Sequence, residues 1–194
     1  MTSKRLLIIG SVLLLLVLVV FLMQRPAEQP SAEPTGTPLP APTPTDQPAQ
    51  PGPDLGFIMS VEPAETTTQV GDTFSLEVII AQVSNLGAFE FNLIYDPAII
   101  QVTGVEIGDF LGSTERNAVP LGPEIDNPAG VTSFAAFSFG PQSGAEGQGT
   151  LATVTFEAQA AGTTTVALGD VQVPDTQATV IPALEILSAT VTVE

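Results

Sequence analysis

Carboxylates are the most abundant chemically reactive side chains in this sequence. It contains 21 Asp and Glu residues against four Lys and Arg, with no His and no Cys. Two carboxylates at a suitable separation can hydrolyse a glycosidic bond, but no motif sets one pair apart from the others. Without Cys and His, thiol chemistry, imidazole catalysis and the usual zinc sites are excluded. We therefore predict that the chain is not an enzyme and carries no cofactor.

Two short acidic segments, residues 123–126 and 170–175, raise the question of calcium. Carboxylate and carbonyl oxygens are the ligands that Ca²⁺ prefers, but neither segment has the alternating spacing of an EF-hand loop. We predict no metal site on this chain.

The charge balance restricts the class of partner. The formal net charge is −17, and Arg116 is the only cation after residue 25. Such a surface repels phosphate backbones, so we predict no nucleic-acid partner. It is compatible with a soluble exported domain, and with a partner that presents basic patches.

The reactive side chains are positioned by strands that alternate between a buried and an exposed face. In residues 86–95 the apolar face consists of Phe89, Phe91, Leu93 and Tyr95. Glu90 and Asn92 fall on the opposite, outward face. In residues 151–158 the buried face is expected to hold Ala152, Val154 and Phe156, which turns Leu151, Thr153 and Thr155 outward. Leu151 is then an exposed apolar side chain.

The same period-two pattern recurs along residues 55–194. Turn signals such as Val70-Gly71-Asp72 and Asp96-Pro97 separate the segments that carry it. We predict an all-β fold, a nine-stranded two-sheet jelly-roll sandwich. Its strands are expected at 57–61, 66–70, 73–80, 86–95, 98–105, 131–139, 151–158, 163–168 and 186–193. In 131–139 the three Phe residues do not fit one alternation, and a bulge near Ala135-Ala136 would reconcile them.

The first 54 residues have a different character. Residues 6–23 form an uncharged apolar run whose helix would cover about 27 Å. Lys4 and Arg5 precede the run, which places its N-terminal end in the cytoplasm. We predict a signal anchor in residues 1–24, with a cleaved signal peptide as the alternative. The C-terminal domain, residues 55–194, is then outside the cell on a single-pass anchor.

Residues 25–54 are rich in Pro, Thr and Ala and lack aromatic side chains. Such a segment cannot bury a core and favours extended polyproline II conformations. We predict a linker of up to about 90 Å between the membrane and the domain.

The domain resembles a bacterial cohesin domain. The residues that carry the resemblance are Val70–Thr73 (VGDT), 88–97 (AFEFNLIYDP), 99–105 (IIQVTGV), 149–157 (GTLATVTFE) and 189–193 (ATVTV). Cohesins are non-catalytic modules that bind dockerins, small calcium-loaded domains attached to enzymes such as glycoside hydrolases. The resemblance implies an exported receptor for a dockerin-bearing protein, with the calcium on that partner.

The resemblance also implies a contact surface. Cohesins of this type bind through one flat sheet face and its rim, and the matching strand here carries Glu90 and Asn92. We expect the late strand to add Leu151, Thr153 and Thr155 to the same face, with residues 131–139 lying between the two strands.

A carbohydrate-binding module on the same sandwich is the alternative function. Flat sugar recognition usually relies on exposed aromatic rings. The chain has no Trp and one Tyr, and Tyr95 is predicted to point inward. Polysaccharide binding is therefore the weaker hypothesis, since it would rest on Phe alone.

Overall fold

The computed structural model describes residues 56–194. The predicted membrane anchor and linker lie outside the described residues. Within residues 56–194 no helix is long and apolar enough to cross a membrane.

Eleven strands and two short 3-10 turns make up the domain. The strands are β1 Phe57–Glu62, β2 Glu65–Thr68, β3 Thr73–Leu86, β4 Ala88–Ile94, β5 Ile100–Ile107, β6 Asn117–Asp126, β7 Val131–Phe139, β8 Ala145–Ala158, β9 Gly162–Gln172, β10 Ala183–Leu187 and β11 Ala189–Val193. The 3-10 turns are Phe110–Gly112 and Asn127–Ala129.

The strands form two mixed sheets. The five-stranded sheet has the order β10-β1-β3-β8-β5, and the six-stranded sheet has the order β2-β11-β9-β4-β7-β6. β1 pairs with β10, and β2 with β11, in parallel, whereas the other pairs are antiparallel. The predicted all-β two-sheet sandwich is confirmed.

The predicted number of nine strands is wrong, for two reasons. β6 was missed because Pro120, Gly122 and Pro123 break its pattern, yet β6 is an edge strand, where a missing N–H donor is tolerated. The segment predicted as one strand at 186–193 is two strands, because the chain changes sheets at Ser188 between β10 and β11.

The core lies between the inward faces of the two sheets. The side chains of Phe89, Phe91, Leu93 and Tyr95 are all buried, as the alternation predicted. Phe134 of β7 packs against Phe89 and Phe91, with ring centroids 6.0 and 6.1 Å apart. This aromatic cluster is the inner support of β4 and β7.

Hydrogen bonds around Tyr95 and Asn127 connect the two sheets. The Tyr95 hydroxyl lies 2.7 Å from Asn127 Oδ1 and 3.2 Å from Thr132 Oγ1. Asn127 also accepts from the N–H of Val102 in β5 and donates to the Val102 carbonyl, both at 2.9 Å. One side chain in the β6–β7 turn therefore fixes the edge of the opposite sheet.

Candidate functional site

Glu90 and Asn92 lie on the outer face of the six-stranded sheet. β4 alternates strictly, so its inward side chains are buried while Ala88, Glu90 and Asn92 face outward with partial exposure. β4 is flanked by β7 on one side and β9 on the other. The predicted outward orientation of Glu90 and Asn92 is confirmed.

Asn92 is the centre of a hydrogen-bonded row across three strands. Ser133 Oγ of β7 donates to Asn92 Oδ1 at 2.6 Å, and Asn92 Nδ2 donates to Asp170 Oδ2 of β9 at 2.8 Å. Asp170 reaches this position because the register between β4 and β9 shifts between Glu90 and Asn92, and Asp170 itself has a φ of 48°. The irregularity in β9 thus directs a carboxylate onto the outer face.

Glu90 lies beside this row, opposite Ala135 of β7 and Gln172 of β9. Partial burial, and secondarily the negative charge of Asp170, raise the pKa of the Glu90 carboxyl above its ordinary value. Two carboxylates close together therefore share this part of the face.

An apolar zone occupies the other end of the same face. β7 alternates without a bulge, which turns Ala135, Phe137 and Phe139 outward. Phe139 is 49% exposed, and its ring centroid is 6.3 Å from that of Phe137. Val119 and Leu121 of β6 lie directly across from Phe137 and Ala135. We call Val119, Leu121, Ala135, Phe137 and Phe139 the apolar zone.

The parity of β7, which the sequence left open, is resolved without a bulge near Ala135-Ala136. Pairing of β7 with β4 is continuous from Ala88–Phe137 to Ile94–Val131. Phe134 points inward, whereas Phe137 and Phe139 point outward. The three Phe residues lie on two faces, because β7 has apolar side chains on both its inner and its outer face.

Arg116 fixes the rim of the apolar zone. Its Nε and Nη2 donate to the hydroxyl and the carbonyl of Ser138, at 3.0 and 2.9 Å, and its Nη1 donates to the carbonyls of Gly140 and Gln142, at 2.8 and 2.6 Å. Burial lowers the pKa of this guanidinium. The cation therefore holds the loop after Phe139.

Leu151, Thr153 and Thr155 do not share a face with Glu90 and Asn92, and that expectation is wrong. All three belong to β8, which pairs with β3 and β5 in the five-stranded sheet. Residues 131–139 accordingly lie between β4 and β6 rather than between β4 and β8. Thr153 and Thr155 do point outward with partial exposure, but on the opposite side of the sandwich.

Leu151 is fully buried, so its predicted exposure is also wrong. The register of β3 with β8 steps from Val78–Ala152 to Ile79–Thr150, which leaves Leu151 as an extra, unpaired residue. This bulge turns both Leu151 and Ala152 into the core. The backbone of Gly108 packs against the Thr150 carbonyl at the bulge, where a Cβ would collide with that oxygen.

The outer face of the five-stranded sheet carries hydroxyl and carboxylate side chains together with Ile79. Ser75 and Thr155 hydroxyls lie 3.4 Å apart, and Thr150 Oγ1 donates to Glu77 Oε2 at 3.4 Å. A shallow groove of about 600 Å³ runs along it, lined by Ser60, Glu62, Pro63, Ser75, Glu77, Ile79 and Thr153. No aromatic ring lines this groove, in contrast to the apolar zone on the six-stranded sheet.

Sequence reasoning missed Asp170, Ser133, Phe137 and Phe139. Phe137 and Phe139 could have been found from the spacing of apolar residues on β7, since two of the three Phe residues share a parity. Asp170 carried no such signal, because its position depends on the register shift between β4 and β9. In residues 56–194 no group of three or more acidic side chains is arranged to hold a metal ion.

Comparisons with known proteins agree with this architecture. The family model of the cohesin domain matches residues 59–193. A search of curated proteins finds no matching sequence. Three solved structures illustrate the structural similarity: CaCohA2 from Clostridium acetobutylicum, the Coh-OlpC–Doc435 complex from Clostridium thermocellum, and a non-cellulosomal cohesin from the archaeon Archaeoglobus fulgidus.

The similarity is in fold rather than in sequence. CaCohA2 has 21% identity and a TM-score of 0.56, with 71% of this chain and 90% of that chain covered. Coh-OlpC has 17% identity and a TM-score of 0.57, with 71% of this chain and 92% of that chain covered. The archaeal cohesin has 14% identity and a TM-score of 0.55, with 72% of this chain and 91% of that chain covered. Cohesins are non-catalytic modules, so the prediction that the chain is not an enzyme is confirmed. Because the family model covers most of the chain, the chain belongs to the cohesin domain family.

Proposed function

We propose that this cohesin domain binds a dockerin-bearing protein through the outer face of β9, β4, β7 and β6. The observation that carries the proposal is the unpaired apolar zone, with Phe139 49% exposed, directly beside the ordered row Ser133–Asn92–Asp170. An exposed apolar centre next to fixed polar groups is the usual composition of a protein interface.

The two zones have separable roles. Burial of the Phe137 and Phe139 rings by a partner would remove apolar surface from water and contribute about 1–3 kcal/mol each. The row Ser133–Asn92–Asp170 offers acceptors whose positions are already fixed by the hydrogen bonds among these side chains, so little entropy is lost when a partner uses them. Glu90 adds a carboxylate beside the row. The rings provide affinity, and the polar row sets the register of the partner.

Structural relatives support a dockerin as the partner. Several of the similar structures are cohesin–dockerin complexes, among them Coh-OlpC–Doc435 and the complex of CaCohA2 with a variant of CaDoc0917. One relative is described as non-cellulosomal, so the proposal does not require a multi-enzyme assembly. We propose that the captured protein is a polysaccharide-degrading enzyme, because dockerins are attached to such enzymes.

We also propose that the domain is held outside the cell on a membrane anchor. Support comes from the apolar run at residues 6–23, from Lys4 and Arg5 before it, and from the Pro-rich residues 25–54 after it. Protease treatment of intact cells should then remove the domain and leave an N-terminal fragment in the membrane fraction. Recovery of intact protein from the cytosol would contradict the tether.

The binding proposal is tested by capture from secreted host proteins on the immobilised full chain, with calcium and with chelator. Calcium-dependent capture of a protein that contains paired calcium-loop repeats supports the proposal. A thermal melt of the full chain with and without chelator is the control, because it reports any calcium effect on this chain itself. Retention of the chain on cellulose or chitin, with no dockerin captured, would overturn the proposal in favour of sugar binding.

A further inference from the structure

We infer that the free edge of β10 is an interaction surface whose occupant is the same strand of a second copy of this chain. The two β10 strands pair antiparallel about a twofold axis and join two five-stranded sheets into one. This inference goes beyond the proposed function, because β10 belongs to the five-stranded sheet. The outer face of β9, β4, β7 and β6 stays open in both copies.

β10 is an edge strand, and among the described residues its only strand partner is β1. The backbone N–H and C=O groups on its other side therefore have no strand to pair with. All residues of Ala183–Leu187 are exposed, and Leu184, Ile186 and Leu187 are large and apolar. A strand edge of this composition is a template for a further strand.

The other three sheet edges of the described domain carry features that oppose such pairing. β6 contains Pro120 and Pro123, which lack an N–H donor. On β5 the Asn127 side chain binds both the N–H and the carbonyl of Val102. β2 is four residues long, and its side chains are polar. β10 contains neither Pro nor Lys, so it is the edge most open to another strand.

The regular part of β10 indicates where a second copy fits. Pairing with β1 shifts once, where Leu184 is left without a partner, and is then regular from Glu185 to Leu187. Ile186 is the middle of this run. With the twofold axis at Ile186, each Ile186 lies opposite its counterpart, and Glu185 lies opposite Leu187 of the other copy. No two carboxylates are then directly opposite, which avoids the like-charge repulsion that an axis at Glu185 creates.

The composition of the edge favours a second copy as the occupant. Ile186 against Ile186, and Leu187 against the aliphatic stem of Glu185, cover exposed apolar side chains of both strands at once. Glu185 is the only charged residue of β10, so this edge carries little of the net charge of −17. Every copy of the chain presents the same self-complementary strand, as a twofold interface requires.

The place where the chain enters the domain fits this arrangement. Gly56, to which residues 1–55 are joined, has its backbone against Pro182 and Leu184. The N–H of Phe57 donates to the Pro182 carbonyl at 3.1 Å. Both chains therefore enter their domains within a few residues of the axis. Copies held in one membrane, as proposed above, meet at a high effective concentration, which favours even a short interface.

The first test traps the pair with a disulfide, which is specific because the chain has no Cys of its own. Directly opposite residues have Cα atoms about 4.5–5.5 Å apart, within reach of a disulfide, whereas diagonal neighbours are about 7–8 Å apart. Cells that carry the full chain with I186C, E185C or T67C are treated with a mild oxidant and analysed on non-reducing gels. Thr67 is an exposed residue of the edge strand β2. We expect I186C to form dimers at least about tenfold faster than E185C or T67C.

The contrary results of this test are distinct. Equal rates for I186C and T67C would mean random collision and would overturn the inference, and so would the absence of I186C dimers. Faster trapping of E185C than of I186C would overturn the register at Ile186, on which the choice of occupant rests.

A second test closes the edge and keeps the fold. I186K places two Lys side chains opposite each other at the axis, and Lys on an edge strand opposes pairing. V70K is the matched control, because Val70 is 51% exposed and Ile186 is 41% exposed, and Val70 lies outside β10. Sedimentation of the full chain in an uncharged detergent should show concentration-dependent dimers for wild type and V70K and monomers for I186K. Unchanged thermal melts of both variants verify that they are folded.

Salt and dockerin capture complete the test. Dimers of a chain with a net charge of −17 should become tighter between about 0.1 and about 1 M NaCl, because screening weakens the repulsion between copies. I186K should capture a dockerin as well as wild type does, since Ile186 lies on the other sheet. Dimers that persist in I186K would overturn the inference. A monomeric wild type whose capture is lost in I186K would overturn it too, because the edge would then receive a strand of the partner.

Discussion

Asn92 of β4 and Asp170 of β9 are joined by a 2.8 Å hydrogen bond across 78 residues of sequence. Because the amide nitrogen donates to Asp170, the amide oxygen is left to accept from Ser133 of β7. One side chain therefore sets the positions of polar groups on three adjacent strands. The candidate contact face is ordered before any partner arrives.

Removal of this side chain should loosen the face. We expect Asn92→Ala to lower the free energy of unfolding by about 1 kcal/mol, since two partly exposed hydrogen bonds are lost. Asn92→Asp should cost more, because it adds a third carboxylate beside Glu90 and Asp170. Urea unfolding of the two variants checks this, and equal stability of Asn92→Asp and wild type would refute the described row.

Leu151 should behave as a core residue. Its side chain is fully buried in the bulge of β8, so Leu151→Ala leaves a cavity and should cost about 2–5 kcal/mol of stability. Thr153→Ala, two residues along the same strand but outward, is the matched control and should change stability by less than about 1 kcal/mol. A Leu151→Ala variant that is as stable as Thr153→Ala would place Leu151 on the surface after all.

Leu151 and Phe89 show when the alternation of apolar and polar residues predicts burial correctly and when it does not. Phe89 lies in a strand without irregularity, so alternation predicted its burial correctly. Leu151 lies at a bulge, where one extra residue places two consecutive side chains, Leu151 and Ala152, on the same buried face. Nothing in the local sequence marks the bulge, since it depends on the pairing of β8 with β3 and on Gly108 close to it.

Alternation also predicted only part of the candidate site. Glu90 and Asn92 follow from alternation within β4. The residues beside Glu90 and Asn92 depend on the order of strands in the sheet, which is set by long-range pairing. That order places β9 and β7 beside β4, and β8 in the other sheet. The contribution of β6 was hidden because Pro and Gly break its pattern, and only its edge position makes them acceptable.

Tyr95 should be more important for stability than for binding. Tyr95→Phe removes the bonds to Asn127 and Thr132 and leaves the buried Thr132 hydroxyl without this partner, so we expect a loss of about 1–3 kcal/mol. Adding Thr132→Val should recover part of the loss, because the unsatisfied hydroxyl is then gone. Thermal unfolding of both single variants and the double variant measures this coupling, and strict additivity would contradict it.

Glu90 should make stability depend on pH. Because its pKa in the folded state is raised above 4.5, the folded protein holds this proton more tightly than the unfolded chain. The contribution to stability is fully present below the unfolded pKa and is lost as pH rises through the raised value. Glu90→Gln should therefore gain in melting temperature, relative to wild type, from pH 4 to pH 7.

The size of this gain should be of the order of 1 °C, since Glu90 is partly exposed and screened by solvent. Repeating the comparison in an Asp170→Asn background should shrink it, because the neighbouring charge is removed. A melting-temperature difference that stays constant with pH would show that Glu90 is not perturbed in this way.

One binding measurement on both faces of the sandwich shows which sheet contacts the partner. Calorimetric titration with the captured dockerin is carried out on the full chain, on F137A/F139A from the six-stranded sheet, and on T153A/T155A from the five-stranded sheet. If the partner binds the six-stranded sheet, the ring variant loses at least about 30-fold in affinity while the threonine variant binds like wild type. Normal binding by F137A/F139A together with weakened binding by T153A/T155A would contradict the proposal and move the contact surface to the other sheet.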